Sequence, residues 1–341
     1  MALGYFAPDI GVDLGTVSIQ IHVKNKGVVL NEPMVIALDS YDGRMIAIGA
    51  EAEQMFGRTP HNIQALRPLY AGVIADYNLT VKMLGYFLAK AYRNYKLFKP
   101  RLMVCAPSGV TGIEERAVRQ AALEAGARGC YIMEEPLAAA LGAELAIEEP
   151  GGKMIVDIGG GTTDIAVISL GCIVGSKSLR LGGSRFDEAI MRYLRQNFQL
   201  LIGERYAEQI KIAVGNAYPE ALKKPRCVEV RGRDLVSGLP RSLIIDSNQC
   251  FAAIKDPLHT IVAAIFEVLE NTPPELAADL LDTGILLTGG GALLPGLDAL
   301  LSQEVSLPVY VAADPITCVA RGAGKALAQV DDKWGRIYVK K

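Results

Sequence analysis

The chain has 341 residues, of which 50% are hydrophobic and 21% are charged. This length and this composition predict a globular protein of two domains and exclude a disordered chain. The formal net charge of −2 gives no electrostatic basis for binding nucleic acid, so we expect no nucleic-acid partner.

Near the N-terminus, a predicted strand ends in the sequence Asp13-Leu14-Gly15-Thr16, and two further strand-like stretches follow at 19–23 and 27–30. Glycine at such a turn leaves backbone N–H groups that can bind phosphate oxygens. Taken alone, the aspartate and its turn are equally typical of an ordinary tight turn.

Strands and helices alternate in the rest of the first half. Residues 102–106 predict a buried strand, and Thr111 and Glu114 predict a capping box at the start of the next helix. A further helix is predicted over 136–146 and begins at a proline, which suits the first helical turn. The segment 148–152 contains a proline and two glycines, and we place a domain boundary there.

A second aspartate turn repeats the order of the first. In the stretch 154–164, an apolar strand ends at Asp157, and three glycines and two threonines follow. Strand-like residues at 165–168 and 171–174 come next, just as strands follow Asp13. The alternation of strands and helices predicts an α/β fold. The repeat predicts two related halves that hold one phosphorylated ligand.

Two aspartates that face a phosphate chain would repel it unless a cation lay between them. Oxygen ligands from carboxylates, phosphates and water are those that Mg²⁺ prefers. Asp13 and Asp157 therefore predict a site for a nucleotide with Mg²⁺ rather than a simple anion pocket.

The remaining residues predict an α+β lobe and then a third glycine turn. The lobe is predicted to contain two helices and two strands, at 186–199, 205–214, 227–231 and 242–245. After a helix near 257–270, the strand 285–288 leads into the glycines 289–291 and a helix that follows Pro295. This order of strand, glycine turn and helix is typical of an edge that faces phosphate or nucleoside groups.

Six cysteines are scattered along the chain without a C-x-x-C pair, which is typical of reduced intracellular thiols. The first residues lack the basic region and the apolar core of a signal peptide. No segment approaches the roughly 18 apolar residues that are needed to span a bilayer. We therefore expect a cytoplasmic protein.

Five blocks of sequence occur in a specific order: 157–174, 182–188, 200–204, 232–240 and 287–294. Through them the chain resembles the actin-like ATPases and, within these, the bacterial MreB/Mbl family. The resemblance implies an α/β, actin-like (ribonuclease H-like) fold that is duplicated into two domains, each with a smaller inserted lobe. It implies domain I at 1–147 plus 318–341, with its lobe at about 34–75, and domain II at 148–317, with its lobe at about 185–249.

The same resemblance implies a function. Members of this family are expected to bind ATP and Mg²⁺ between the two domains, to hydrolyse ATP and to polymerise into filaments. The filaments are expected on the inner face of the cytoplasmic membrane, where they organise peptidoglycan elongation and maintain rod shape. The expected partners are further copies of the chain, the membrane, and cell-wall elongation proteins of the MreC, MreD, RodZ and RodA types.

Site roles are implied by positions that match the family's motifs. Asp13 and Asp157 match the aspartates that hold Mg²⁺ through water, and Glu135 matches the residue that orients the attacking water, with Thr162 nearby. The expected nucleotide-binding residues are Gly15, Thr16 and Val17 in the first turn, Gly159, Gly160, Gly161 and Thr162 in the second, Glu208 and Lys211 on one helix face, and Gly289, Gly290 and Gly291 in the third turn.

Some of these roles have alternatives. Glu135 immediately precedes a helix, whose dipole stabilises any carboxylate, and Glu134 is the other candidate for facing the cleft. Glu208 and Lys211 are spaced so that they can instead form a surface ion pair.

An apolar pair, Leu97 and Phe98, lies between two lysines and matches a membrane-inserting loop of the family. The two side chains together would add a few kcal/mol of membrane affinity at most, since full burial of one apolar side chain contributes about 1.5–3 kcal/mol. The alternative is that the phenylalanine packs beneath the fold.

The first turn departs from the family pattern. The usual order after its aspartate is D-L-G-T-A-N-T, whereas this chain has Val17, Ser18 and Ile19 at the last three positions. Fewer side chains can then donate to phosphates, so ATP affinity or turnover is expected to differ from the family's norm. One alternative function is therefore that of a filament scaffold that binds ATP but barely hydrolyses it. A sugar or acetate kinase on the same fold is the other alternative.

Overall fold

The structure is a computed structural model, and it describes residues 8–93, 98–221 and 224–330. The strands of its first half are β1 (Asp9–Leu14), β2 (Ser18–Val23), β3 (Gly27–Pro33), β4 (Ile36–Asp39), β5 (Met45–Ile48), β6 (Ile63–Leu66), β7 (Leu69–Tyr70), β8 (Val73–Ile74), β9 (Arg101–Ala106) and β10 (Gly129–Glu134). The helices of this half are α1 (Ala50–Met55), α2 (Tyr77–Ala91), α3 (Gly112–Glu124) and α4 (Glu135–Gly142).

The second half continues the alternation of strands and helices. Its strands are β11 (Lys153–Ile158), β12 (Thr163–Ser169), β13 (Cys172–Leu179), β14 (Leu200–Leu201), β15 (Cys227–Asp234), β16 (Pro240–Asp246), β17 (Ile285–Thr288) and β18 (Val309–Val311). Its helices are α5 (Gly183–Phe198), α6 (Glu204–Val214), α7 (Ser247–Glu270), α8 (Pro274–Thr283), α9 (Leu297–Val305) and α10 (Cys318–Ala328).

Two five-stranded sheets within the described residues share one topology. The strand order is β10-β9-β1-β2-β3 in the first and β18-β17-β11-β12-β13 in the second. In each sheet the first three strands are parallel and the last two are antiparallel additions. The strands that carry the two aspartates, β1 and β11, therefore take equivalent central places. The predicted duplication is confirmed.

Each half also carries a smaller three-stranded sheet in the region where an inserted lobe is predicted. Its order is β5-β4-β6 in the first half and β14-β15-β16 in the second. We refer to these regions as the first lobe, 34–75, and the second lobe, 185–249. The exact limits of the two domains stay a prediction.

A pair of crossing helices fills the space between the two large sheets. Apolar residues of α4 and α10 pack there with residues of β9, β11 and β12 in one cluster. The backbones of the two helices approach closely at two glycines: a Cβ at Gly142 would overlap the carbonyl group of Cys318, and a Cβ at Gly322 would overlap that of Ala138. The crossing of α4 and α10 therefore couples the two halves of the molecule.

Two helix predictions were wrong at their ends. The helix α4 ends at Gly142 rather than at 146, because Ala143 caps it and Glu144 adopts a left-handed φ of 64°. The helix α7 begins at Ser247, well before the predicted start near 257, and its interior contains Pro257. Its start is fixed by a capping box between Asp246 and Gln249.

The expected membrane loop is only partly described. Leu97 lies outside the described residues, and Phe98 is half-buried. Across the ranges that the structure describes, no helix combines the length and the apolar character needed to cross a bilayer.

Candidate functional site

One cavity between the two halves gathers residues from all three glycine turns. Its volume is about 500 Å³. All the predicted metal-binding, nucleotide-binding and water-orienting residues line it: Asp13, Gly15, Thr16, Val17, Glu135, Asp157, Gly159, Gly160, Gly161, Thr162, Glu208, Lys211, Gly289, Gly290 and Gly291. The structure thus brings together residues that are far apart in the chain.

The second glycine turn is held against the start of α5. The carbonyl oxygens of Gly159 and Gly160 accept hydrogen bonds from the N–H groups of Gly183 and Ser184, each at 2.9 Å. Within the described residues, the N–H groups of residues 160–162 donate to no protein backbone carbonyl. These N–H groups are therefore available to an anionic ligand in the cavity.

The first and second turns touch each other face to face. A Cβ at Gly160 would overlap the side chain of Val17, and a Cβ at Gly161 would overlap that of Thr16. Glycine is required at both positions because only a residue without a side chain fits this approach. The Thr16 hydroxyl also accepts a hydrogen bond of 2.8 Å from the N–H of Gly72, in the β7–β8 hairpin.

The third turn packs on the end of β11. Gly289 has a φ of 79°, and a Cβ there would overlap the backbone of Ile158. Its N–H donates a hydrogen bond of 2.8 Å to the carbonyl oxygen of Pro315. The apolar side chains of Leu293, which follows this turn, and of Ile212 on α6 line the same cavity.

Two carboxyl groups line the cavity from the centres of the two sheets: Asp157 is buried and Asp13 is half-buried. Asp157 accepts a hydrogen bond of 2.7 Å from the hydroxyl of Thr288, yet burial raises its pKa to about 6. Burial and the nearby charge of Asp157 raise the pKa of Asp13 to about 7. A divalent cation would offset this repulsion, so the donor set fits Mg²⁺. Two carboxylates cannot fill an octahedral shell, so water and phosphate would supply the other ligands.

The structure distinguishes the two neighbouring glutamates. Glu134 accepts a hydrogen bond of 3.0 Å from the hydroxyl of Ser108, whereas Glu135 lines the cavity. Burial, followed by the charge of Asp164, raises the pKa of Glu135 well above its usual range. The carboxyl groups of Glu135 and Asp164 repel each other when both are ionised, so one proton between these two groups is favoured. Glu135 is therefore the carboxyl group that can meet a ligand.

Lys211 is paired with an aspartate of the neighbouring helix. Its ammonium group donates to Asp187 at 3.0 Å and to the carbonyl oxygen of Gly183 at 3.1 Å, which ties α6 to α5. Burial raises the pKa of Asp187 to about 6 although Lys211 lowers it. The alternative of an ion pair between Lys211 and Glu208 is therefore not what the structure has.

A family model described as MreB/Mbl protein matches residues 7–334 of this chain. The chain belongs to the MreB/Mbl family. It is 50% identical over 326 residues to the cell shape-determining protein Mbl of Bacillus subtilis, covering 96% of this chain and 97% of that protein. It is also 50% identical over 340 residues to the cell shape-determining protein MreB of Escherichia coli, covering 98% and 97%.

Solved structures of a relative confirm the actin-like fold expected for this MreB/Mbl-family protein. The crystal structure of MreB 5 of Spiroplasma citri bound to AMPPNP matches with a TM-score of 0.91 and 37% identity, and it covers 96% of this chain and 97% of that one. The form bound to ADP matches with a TM-score of 0.90. Both the family and the duplicated two-domain α/β fold are thus predicted correctly.

Several site residues of this MreB/Mbl-family chain were missed by sequence reasoning. Asp164 is fully buried and accepts a hydrogen bond of 2.7 Å from the N–H of Ser108. Asp164 directly follows two threonines at the end of the stretch 154–164, and this position is the sequence feature that could have identified it as a site residue. Thr288 and Asp187 lie in blocks that carry the family resemblance, but their partners are distant in sequence.

Arg67 joins the two lobes at a second cavity, of about 240 Å³, which it lines together with Glu204. Its guanidinium group donates a hydrogen bond of 3.1 Å to Glu204 of the second lobe and lies 4.8 Å from the centre of the Phe56 ring. Because Arg67 belongs to the first lobe, this contact links the lobes directly. No sequence signal pointed to the pair.

The buried carboxyl groups predict a pH-dependent stability for the MreB/Mbl-family protein without ligands. The pKa values of Asp13, Asp157, Asp164 and Asp187 are raised from 3.8 to about 7, 6, 7 and 6. The folded state therefore binds protons more tightly than the unfolded state, and the free energy of unfolding falls as the pH rises through this window. We expect Asp13→Asn to gain at least about 1 kcal/mol relative to wild type between pH of about 5 and pH of about 7.5.

Chemical denaturation of both proteins in EDTA across this pH range measures the difference. The comparison with Asp13→Asn removes the contribution of carboxyl groups elsewhere in the chain. Addition of Mg²⁺ and ATP should reduce the difference, because bound cation stabilises the ionised carboxylates. A constant difference at all pH values would show that folding does not raise the pKa of Asp13.

Proposed function

We propose that this MreB/Mbl-family protein is an ATPase that polymerises into cytoplasmic filaments on the inner face of the cell membrane, where they organise peptidoglycan elongation and maintain rod shape. The observation that carries the proposal is the single cavity in which two aspartate-led glycine turns touch each other beside Glu135. The match to MreB 5, which has been crystallised with AMPPNP and with ADP, supports a nucleotide as the ligand.

The cavity offers complementary groups to each part of ATP. The N–H groups of residues 160–162 suit the phosphate oxygens. The third turn and the apolar side chains of Ile212 and Leu293 suit the sugar and the base, and Glu208 lies four residues before Ile212 on α6. Asp13 and Asp157 would hold Mg²⁺ through water, and the bound cation would neutralise charge on the phosphates.

Glu135 is suited to orient the water that attacks the terminal phosphorus. When the proton shared by the two carboxyl groups lies on Asp164, the Glu135 carboxylate can accept a hydrogen bond from that water and then its proton, while the bond from phosphorus to the bridging oxygen breaks. The side chain is 6% exposed, so few other waters compete. Thr162 lines the cavity nearby and offers a hydroxyl that can share the water. Hydrolysis of this kind gives ADP and phosphate.

Polymerisation follows from coupling between the ligand and the two halves. A nucleotide that contacts both aspartate turns would favour one closed arrangement of the lobes, which already meet through Arg67 and Glu204. Closed subunits would stack head to tail. Leu97 and Phe98 give modest membrane affinity per subunit, and a filament multiplies it by avidity. Elongation proteins of the MreC, MreD, RodZ and RodA types would then bind the filament.

Electron microscopy and sedimentation of the purified protein on lipid vesicles test the proposal, with phosphate release measured in the same samples. We expect filaments on lipid with ATP and Mg²⁺, none with EDTA, and steady release of phosphate. Filaments without phosphate release would favour the scaffold that binds but barely hydrolyses ATP. Transfer of phosphate to a sugar or to acetate in a coupled assay, without filaments, would replace the proposal with the kinase.

A further inference from the structure

Gln20 is a buried amide in the wall of the cavity with no role in the proposed function so far. Its side chain is 3% exposed and lines the cavity. Gln20 lies on β2 directly opposite Asp13 of β1 in the antiparallel register. Side chains at such opposed positions stand on the same face of a sheet, about 5 Å apart. The amide is therefore a neighbour of the cation-facing carboxylate.

The hydrogen bonds of Gln20 fix which way its amide points. Its Nε2 donates a hydrogen bond of 2.9 Å to the carbonyl oxygen of Ile316. A carbonyl oxygen accepts only from a donor, so the nitrogen must take this side and the oxygen the other. The remaining atom, Oε1, is buried and receives no hydrogen bond from any group in the described part of the chain. A buried acceptor without a donor is destabilising, so a missing donor is expected.

The chemistry of an amide oxygen limits what that donor can be. A phosphate oxygen carries no proton and would be repelled by Oε1. Water in the shell of a divalent cation is a strong donor, because the cation polarises its O–H bonds. We propose that Gln20 Oε1 accepts a hydrogen bond from a water molecule of the cation held by Asp13 and Asp157. This inference rests on the proposed function and adds a positioning residue to its site.

The same amide links the cation site to both halves of the molecule. The carbonyl oxygen of Ile316 belongs to the short turn 315–317, which precedes α10. In that turn, the carbonyl oxygen of Pro315 accepts a hydrogen bond from Gly289 of the third glycine turn. One turn thus bridges Gln20 in the first sheet and Gly289, which directly follows β17 of the second sheet. The orientation of the Gln20 side chain therefore depends on both walls of the cavity.

Gln20 also bears on the altered first turn of this chain. Ser18 and Ile19 stand where the family usually has asparagine and threonine, so the isoleucine removes one polar side chain at the start of β2. Gln20 places an amide one residue further along the same strand. The strand thus retains a polar group at the cation, although that group is an acceptor rather than a phosphate donor at this site.

Isothermal titration of ATP into wild type and Gln20→Met, in EDTA and in excess Mg²⁺, tests the proposal. Methionine keeps the length of the side chain and removes the acceptor. We expect ATP affinity in Mg²⁺ to fall about five- to tenfold for Gln20→Met, as is typical for one lost hydrogen bond. Affinity in EDTA should stay within about twofold of wild type. Gln20→Glu keeps an acceptor oxygen and should retain the dependence on Mg²⁺.

Thr80→Val is the matched structural control, because Thr80 is fully buried and its hydroxyl likewise donates to a backbone carbonyl, that of Asp76. It should leave both affinities unchanged. An equal loss with and without Mg²⁺ for Gln20→Met, or no loss in either, would overturn the role of Gln20. Absence of Mg²⁺-dependent ATP binding by wild type would instead overturn the proposed function before any variant is compared.

Discussion

Glu135→Ala is expected to reduce phosphate release by about 10²- to 10⁴-fold while ATP binding stays within a few-fold of wild type. The reason is positional: among the two adjacent glutamates, Glu135 lines the cavity and Glu134 is bonded to the Ser108 hydroxyl. Without its carboxylate the attacking water has neither an acceptor to orient it nor a base to take its proton. Contacts to the phosphates through the glycine turns are untouched, so the ligand still binds.

Glu134→Ala is the matched control, since it removes an identical carboxyl group one residue away. Single-turnover phosphate release at saturating ATP should fall for Glu135→Ala alone, and titration calorimetry should show similar ATP affinity for both variants. Turnover at the wild-type rate in Glu135→Ala would show that this carboxylate does not act on water. Equal losses in both variants would point to the start of α4 as a whole rather than to one side chain.

Much of the cavity was predictable because the residues that line it lie in short, local sequence motifs. The turn that follows Asp157 needs glycine at positions 160 and 161, because both residues face the side chains of the other turn. The repeat at Asp13 then places a second carboxylate at the equivalent strand of a duplicated sheet. Such a motif predicts both the fold and the class of ligand, because its glycines and its aspartate each have a specific physical role in the site.

Contacts between distant segments were not predictable from the sequence. The pairing of Glu135 with Asp164 depends on how α4 meets β12, and no local spacing records it. The same holds for the amide of Gln20, whose partner, Ile316, is 296 residues away. The sequence left open whether Glu134 or Glu135 faces the cavity for the same reason. The hydroxyl of Ser108, which follows a different strand, donates a hydrogen bond to Glu134 and so distinguishes the two.

The start of α7 and the end of α4 were predicted wrongly because the residues at these helix ends are not the types that usually mark them. A helix was predicted near 257–270, yet α7 begins ten residues earlier and Pro257 lies inside it, although proline is more typical of a first helical turn. The true start depends on Asp246 and Gln249, a capping box in which Asp replaces the more usual Ser or Thr. At α4 the error came from Glu144, which adopts a left-handed φ although it is neither glycine nor asparagine.

The largest effect on stability is expected at the crossing of α4 and α10. Gly322→Ala adds one methyl group, and its carbon would overlap the carbonyl group of Ala138. That atom belongs to helical backbone, which cannot rotate away as a side chain can, so the two helices must separate. Both helices are packed in the apolar cluster between the sheets, and separation opens that cluster. We expect a loss of more than about 3 kcal/mol in the free energy of unfolding, or no folded protein.

Gly112→Ala provides the comparison, because it is the same chemical change at a helical glycine where an added Cβ meets nothing within 4 Å. At that site alanine should be neutral or stabilise the protein by about 0.5–1 kcal/mol, since it favours helix over the unfolded chain. Urea denaturation of the two variants measures both effects. A Gly322→Ala protein as stable as Gly112→Ala would mean that α10 does not lie this close to α4. It would then also weaken the link from the turn 315–317, which leads into α10, to the wall of the cavity.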